Sequence, residues 1–142
     1  MNRTRASAGF SLIELLLVLA IIGIISAIAI PTFLGQRRRA RMIGDAKANA
    51  AVLRMALETR KADAGVYGAA NAAFTWTAST APSASVNPAP TFNVNRGTTK
   101  MDYTVTVGAT GITYQLDVKD SSLNGATVYS TNQNGSVLAE LH

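Results

Sequence analysis

The chain contains no cysteine, and its one histidine, His142, is the last residue. The lack of thiols excludes disulfides and thiolate metal sites. A single terminal histidine leaves no Ser/His/Asp or Cys/His set, and no glycine-rich phosphate loop is present, so no catalytic residues, no bound cofactor and no metal centre are expected. Aromatic residues are scarce, with four Phe, four Tyr and one Trp in 142 residues. Only Phe10 and Phe33 precede Tyr67, which is too sparse a series for an electron-conducting path. A chain of this length allows one small domain beside any long helix, and without covalent staples such a core is marginal alone.

Charge is missing from one long stretch as well. From Phe10 to Leu34, 25 residues, the only ionisable side chain is Glu14. As a helix this run extends about 37 Å at ~1.5 Å per residue, enough to cross a hydrocarbon core of ~30 Å. A carboxylate at membrane depth costs at least ~2.5 kcal/mol, so Glu14 reads as a functional group that needs a cationic partner. A short basic stretch, residues 1–9 with Arg3 and Arg5, precedes the run. A secretory signal would carry a shorter apolar region with its cleavage site behind it, and a plain anchor has no use for Glu14.

The residues Gly9-Phe10-Ser11-Leu12-Ile13-Glu14, continued by Ala20-Ile21-Ile22-Gly23-Ile24 and Ala27-Ile28-Ala29-Ile30-Pro31, resemble the processing site and apolar helix of type IV prepilins. The resemblance implies that residues 1–9 are a leader and that a prepilin peptidase cuts between Gly9 and Phe10 and methylates the new amino group of Phe10. It also implies an assembly role for Glu14, as the partner of a Phe10 amine in its own or an adjacent subunit. Helix physics agrees, because a new N-terminus presents a cation and unsatisfied N–H groups that favour a carboxylate one turn in. A misregistered subunit would leave that charge unpaired in apolar surroundings.

The implied protein is the structural subunit, the major pilin, of a type IV pilus. It would sit among inner-membrane lipid as a precursor, be taken up by an assembly platform with its ATPase, and homopolymerise into an extracellular filament at the cell surface. Type II secretion pseudopilins and competence pilins for DNA uptake share the motif and stand as the alternatives. The positive-inside rule alone would put Arg37 to Arg41 in the cytoplasm, whereas the resemblance implies the reverse, and translocation of a following domain overrides such a bias. Many pilins clamp their C-terminal region with a disulfide, and this sequence departs from that pattern.

Formal charge is +5, unevenly spread. Between Arg37 and Lys61 it is +6, and from Ala62 onward it is −2. A basic cluster beside an apolar span fits anionic lipid headgroups. A nucleic-acid reading would use Arg37 to Arg41, or Arg96 and Lys100, on phosphates, and burial of the first group on assembly weighs against it.

Helical periodicity continues past the span through Ile43, Ala46, Ala50, Leu53 and Leu57, and ends at Asp63-Ala64-Gly65. Residues 35–65 therefore read as an amphipathic continuation of the helix spanning 10–34. Pro31 removes a backbone donor, and Gly23 weakens the turn upstream, so a kink or a helix break is expected at these two positions. Residues 66–99 read as a surface loop rich in Ala, Ser, Thr, Asn and Pro, pinned by Phe74, Trp76 and Phe92, with Ser and Thr open to O-glycans. Residues 100–142 read as strands: Met101 to Val107 and Ile112 to Val118 form a hairpin, followed by Thr127 to Thr131 and Ser136 to Leu141. Asn134-Gly-Ser136 is better explained as a turn than as a glycosylation sequon, and Asp117, Asp120 and Asn124 as a solvated turn than as a Ca²⁺ site. The expected fold class is α+β, a long N-terminal helix packed on an antiparallel sheet of about four strands.

Overall fold

The computed structural model describes residues 9–77, 79–94 and 100–141. The chain divides into two compact units, Met1–Arg38 and Arg39–His142. One α-helix, α1, runs from Leu12 to Ala64.

In the first unit α1 carries no charge from Leu12 to Leu34 except Glu14. An 18-residue window of it reaches a mean hydropathy of 2.9 with none of its surface buried, so by length and composition it can cross a membrane. Helical assignment is continuous through Gly23 and Pro31, and the expected interruption is not seen in the single chain. The turn at Pro31 gains extra bonds from Thr32, whose Oγ1 donates to the carbonyl of Ala29 at 2.9 Å and more weakly to that of Ile28 at 3.4 Å. This back-bonding occupies the Thr32 hydroxyl and does not reach the Ala27 carbonyl, which is the one that loses its helical donor at Pro31.

In the second unit the helix turns amphipathic. Ala46, Ala50, Leu53 and Leu57 are at most 1 % exposed, while Val52 and Met55 stay in solvent at 54 % and 72 %. Ile43, at the start of the same stripe, is only partly buried against this core. The helix stops at Gly65, whose φ of 76° suits the left-handed cap and whose N–H donates to the Lys61 carbonyl at 2.8 Å.

The sheet has five antiparallel strands in the order β1 (Ala73–Trp76), β2 (Met101–Val107), β3 (Tyr114–Asp120), β4 (Ala126–Asn132) and β5 (Val137–Glu140). One more strand is present than expected. The extra one, β1, lies in the segment read as loop, where it pairs Phe74 with Val105 and Trp76 with Tyr103. A four-residue edge strand with two inward aromatics gives too short an alternation to stand out among Ala, Ser and Pro. The pinning role of Phe74, Trp76 and Phe92 holds, since all three are buried. Ile112 lies before β3 and is exposed, so the inward alternation starts at Tyr114. Met101, Tyr103, Val105 and Val107 of β2 join Tyr114, Leu116 and Val118 of β3 and the helix stripe in one core.

No disulfide closes the last strand. An ion pair between Lys47 Nζ and Glu140 at 2.8 Å and backbone pairing of β5 with β4 do so instead. Three tyrosine hydroxyls are anchored at or beside the helix: Tyr103 accepts from Asn49 (3.0 Å), Tyr114 accepts from Arg54 (3.3 Å), and Tyr67 donates to Glu58 (2.7 Å). Burial is the main force raising all three phenol pKa values above the usual 10, and at Tyr67 the neighbouring Glu58 carboxylate adds to it.

Candidate functional site

The residues expected to carry function gather in the first turn of α1. Gly9, Phe10 and Ser11 precede the helix and lack regular structure, which leaves the Gly9–Phe10 peptide reachable by another protein. Phe10 is 83 % exposed. The Ser11 carbonyl accepts from the N–H groups of Glu14 (3.1 Å) and Leu15 (3.2 Å), and the Glu14 Oε2 reaches back to the Ser11 N–H at 3.4 Å. This is the carboxylate half of a capping box, in which a Glu three residues into the helix bonds the backbone of the capping Ser.

Ser11 is the residue that sequence reasoning missed, although the Ser-x-x-Glu spacing of Ser11 and Glu14 was there to be read. The 3.4 Å contact is long for a charge-assisted bond and leaves the carboxylate with lone pairs for a stronger donor. An α-amine on Phe10 would be one residue from Ser11 and so within the same turn.

Along the rest of the span, residues 15–34, the side chains are apolar apart from Ser26 and Thr32. The large apolar residues from Leu12 to Leu34 are all exposed, from 47 % at Val18 to 75 % at Ile13. Gly23 meets no heavy atom within 4 Å of where a Cβ would stand. Gly23 and Pro31 thus lie along the helix, apart from the Phe10–Glu14 turn.

The other candidate groups are engaged elsewhere or lie apart. Asp117 accepts from Ser130 Oγ at 2.6 Å and from Gln115 Nε2, and Asp120, 4 % exposed, accepts from the Ser122 N–H at 2.6 Å. With Asn124 in the left-handed region at φ 55°, these residues build a turn, and among the described residues no group of three or more His, Cys, Asp or Glu side chains gathers to hold a metal ion. Asn134-Gly135-Ser136 is likewise a turn, organised by the Asn132 side chain, which accepts from the N–H groups of Asn134 (3.1 Å) and Ser136 (3.0 Å). Arg37, Arg38 and Arg41 are exposed on α1, as is Lys100 before β2. The leader residues 1–8, Arg96 and His142 lie outside the described residues.

Residues 4–30 match the family described as the prokaryotic N-terminal methylation motif. No curated protein and no solved structure matches the chain. The matched stretch contains Gly9, Phe10 and Glu14 together with most of the apolar run. The motif marks a structural kind of protein, implies processing by prepilin peptidase and assembly with itself, and, with the apolar helix, suggests a membrane-anchored precursor. At its N-terminus the chain therefore carries the type IV pilin-like prepilin signature, followed by an antiparallel α+β fold.

Proposed function

We propose that this protein is the major structural subunit of a type IV pilus and not an enzyme. Its precursor is held in the inner membrane by the apolar half of α1, cut between Gly9 and Phe10, methylated on the Phe10 amine, and moved by an assembly platform and its ATPase into an extracellular homopolymer. The observation that carries this reading is one carboxylate, Glu14, in the first turn of α1, whose stretch from Leu12 to Leu34 is otherwise uncharged and uncovered. Apolar area removed from water is worth roughly 25 cal/mol per Å², so a helix leaving the bilayer needs an equivalent cover, which copies of itself supply.

Glu14 then sets register. Among the described residues the Glu14 carboxylate accepts only the long bond from the Ser11 N–H, and an amine from a neighbouring subunit would offer a shorter, charge-assisted partner. A subunit displaced along the fibre would bury the carboxylate unpaired. Commitment of Asp117 and Asp120 to Ser130, Gln115 and Ser122 supports the pilus over a secretion pseudopilin, whose major subunit is known for a calcium-binding C-terminal loop.

Mass spectrometry of purified filaments tests the first half: the mature chain should begin at methylated Phe10. A mature chain starting at Met1 or after Ala27 would sink it. The Glu14→Gln variant tests the second half, since it should insert and be cleaved but yield few filaments. Abundant filaments from that variant would remove the register argument.

A further inference from the structure

Two Asn-Gly pairs stand in turns of the second unit, Asn124-Gly125 before β4 and Asn134-Gly135 between β4 and β5, and both asparagines are exposed. Glycine has no Cβ to shield its backbone nitrogen, so in such a pair that nitrogen can reach the preceding carboxamide once the turn opens. Asparagine is thermolabile for this reason. The sequence makes the two pairs equivalent, but the fold does not.

Asn124 lies in the left-handed region at φ 55° and ψ 34°, which points the Gly125 nitrogen away from the Asn124 side chain. Ring closure between the two therefore requires the Asn124–Gly125 peptide to rotate. Against that rotation stands the bond from the Gly125 N–H to the Asp120 carbonyl at 3.1 Å, and the space beside the Gly125 Cα is open to 4 Å. The turn at Asn134 is tied far more firmly. The Gly135 N–H donates to the Asn132 carbonyl (3.0 Å), and the Asn132 side chain accepts from the N–H groups of Asn134 (3.1 Å) and Ser136 (3.0 Å). The Ser136 carbonyl in turn accepts from the Asn132 N–H (3.2 Å) and from Thr131 Oγ1 (3.0 Å). The Arg54 guanidinium also packs on Gly135, 3.0 Å from where a Cβ would stand. Local opening is harder where more bonds must break together.

We propose that Asn124 is a site of spontaneous deamidation in the folded protein and that Asn134 is protected by its turn. The Gly125 nitrogen, after giving its proton to solvent base, attacks Asn124 Cγ. The bond from Cγ to the side-chain nitrogen breaks, and ammonia leaves with a proton from water. Water then adds to either carbonyl of the five-membered imide and opens it to aspartate or to isoaspartate. The net change consumes one water and releases one ammonia, with no oxidant or reductant. It places a new carboxylate close to Asp120, and the isoaspartate product lengthens the main chain just ahead of Ala126, where β4 begins its pairing with Asp120.

The test incubates full-length protein in detergent micelles at mildly alkaline pH, beside a sample unfolded in urea, and follows amide-to-acid conversion at each asparagine by peptide mass spectrometry. In the folded sample Asn124 should convert about tenfold faster than Asn134, or more, since the second turn must break several further bonds to open. In urea the two rates should come together. Asn132→Ala, which removes the two side-chain bonds to Asn134 and Ser136, should raise the Asn134 rate in the folded protein towards that of Asn124. Conversion of Asn134 as fast as Asn124 in the folded sample would overturn the proposal. So would a folded Asn124 that stays intact while the unfolded chain converts, a rate ratio in urea as large as in the fold, or an Asn134 rate unmoved by Asn132→Ala.

Discussion

Leu53 and Val52 are adjacent on α1, yet Leu53 is fully buried and Val52 is 54 % exposed. If the second unit is held by the helix stripe packed on the sheet, truncating each to alanine must have very different effects. Leu53→Ala removes buried methyl groups from a site walled by β-strand residues that cannot readily collapse, at a cost of about 3 kcal/mol, a figure typical of fully buried leucines. For a unit of roughly 100 residues, each 1 kcal/mol lowers Tm by about 4–8 °C, so a drop of about 12–24 °C is expected. Val52→Ala removes exposed surface and places a better helix former in the helix, so its effect should stay within about 0.5 kcal/mol and lie on the stabilising side if it is measurable. Thermal unfolding of the full-length protein in micelles, followed by the near-ultraviolet dichroism of buried Trp76, Tyr67 and Tyr103, reads the difference directly. Equal losses in the two variants, or a larger loss for Val52→Ala, would mean that this face of the helix does not carry the core.

At Tyr67, Tyr103 and Tyr114 the folded phenols have raised pKa values, chiefly through burial, so their contribution to stability is complete below the unfolded value of about 10 and is lost as pH rises above it. The Tm should hold on the acid side of that value and fall beyond it, with phenolate absorbance appearing together with unfolding. Lys47→Ala breaks the ion pair to Glu140, but with side chains 45 % and 29 % exposed the loss should be at most about 1 kcal/mol and should vanish at high salt. In the assembled filament the helix between Gly23 and Pro31 is expected to lose regular hydrogen bonds, although it is continuous in the single chain. A filament map showing an unbroken helix from Phe10 to Leu34 would refute that expectation.

Most of the architecture was legible because its signals are periodic. The 3.6-residue recurrence of Ala46, Ala50, Leu53 and Leu57 and the alternation of Met101, Tyr103, Val105 and Val107 each state which face turns inward, and both are buried as read. What escaped was short or local. β1 holds only two inward residues, Phe74 and Trp76, too few for alternation to declare itself. Ser11 escaped for a different reason: in an apolar run the eye goes to the charge, whereas the cap is defined by the spacing between Ser11 and Glu14.

The missing disulfide bears on where this protein gets its stability. A covalent clamp at the C-terminus would constrain the unfolded chain irrespective of assembly, typically by 2–4 kcal/mol. Here β5 is joined to β4 at three paired positions interrupted by a bulge and by one partly exposed ion pair, and it leaves Val137 and Leu138 exposed at 53 % and 51 %. Neither feature reaches the strength of a covalent bond, because a surface ion pair is screened and a short edge strand frays. Any interaction made only by the folded chain adds to its stability by mass action. A subunit that polymerises through its helix can therefore do without the clamp only if the polymer also holds the second unit folded. Its unfolding temperature should then be markedly higher in filaments than in micelles, and identical values in the two states would show that the antiparallel sheet stabilises itself without help from assembly.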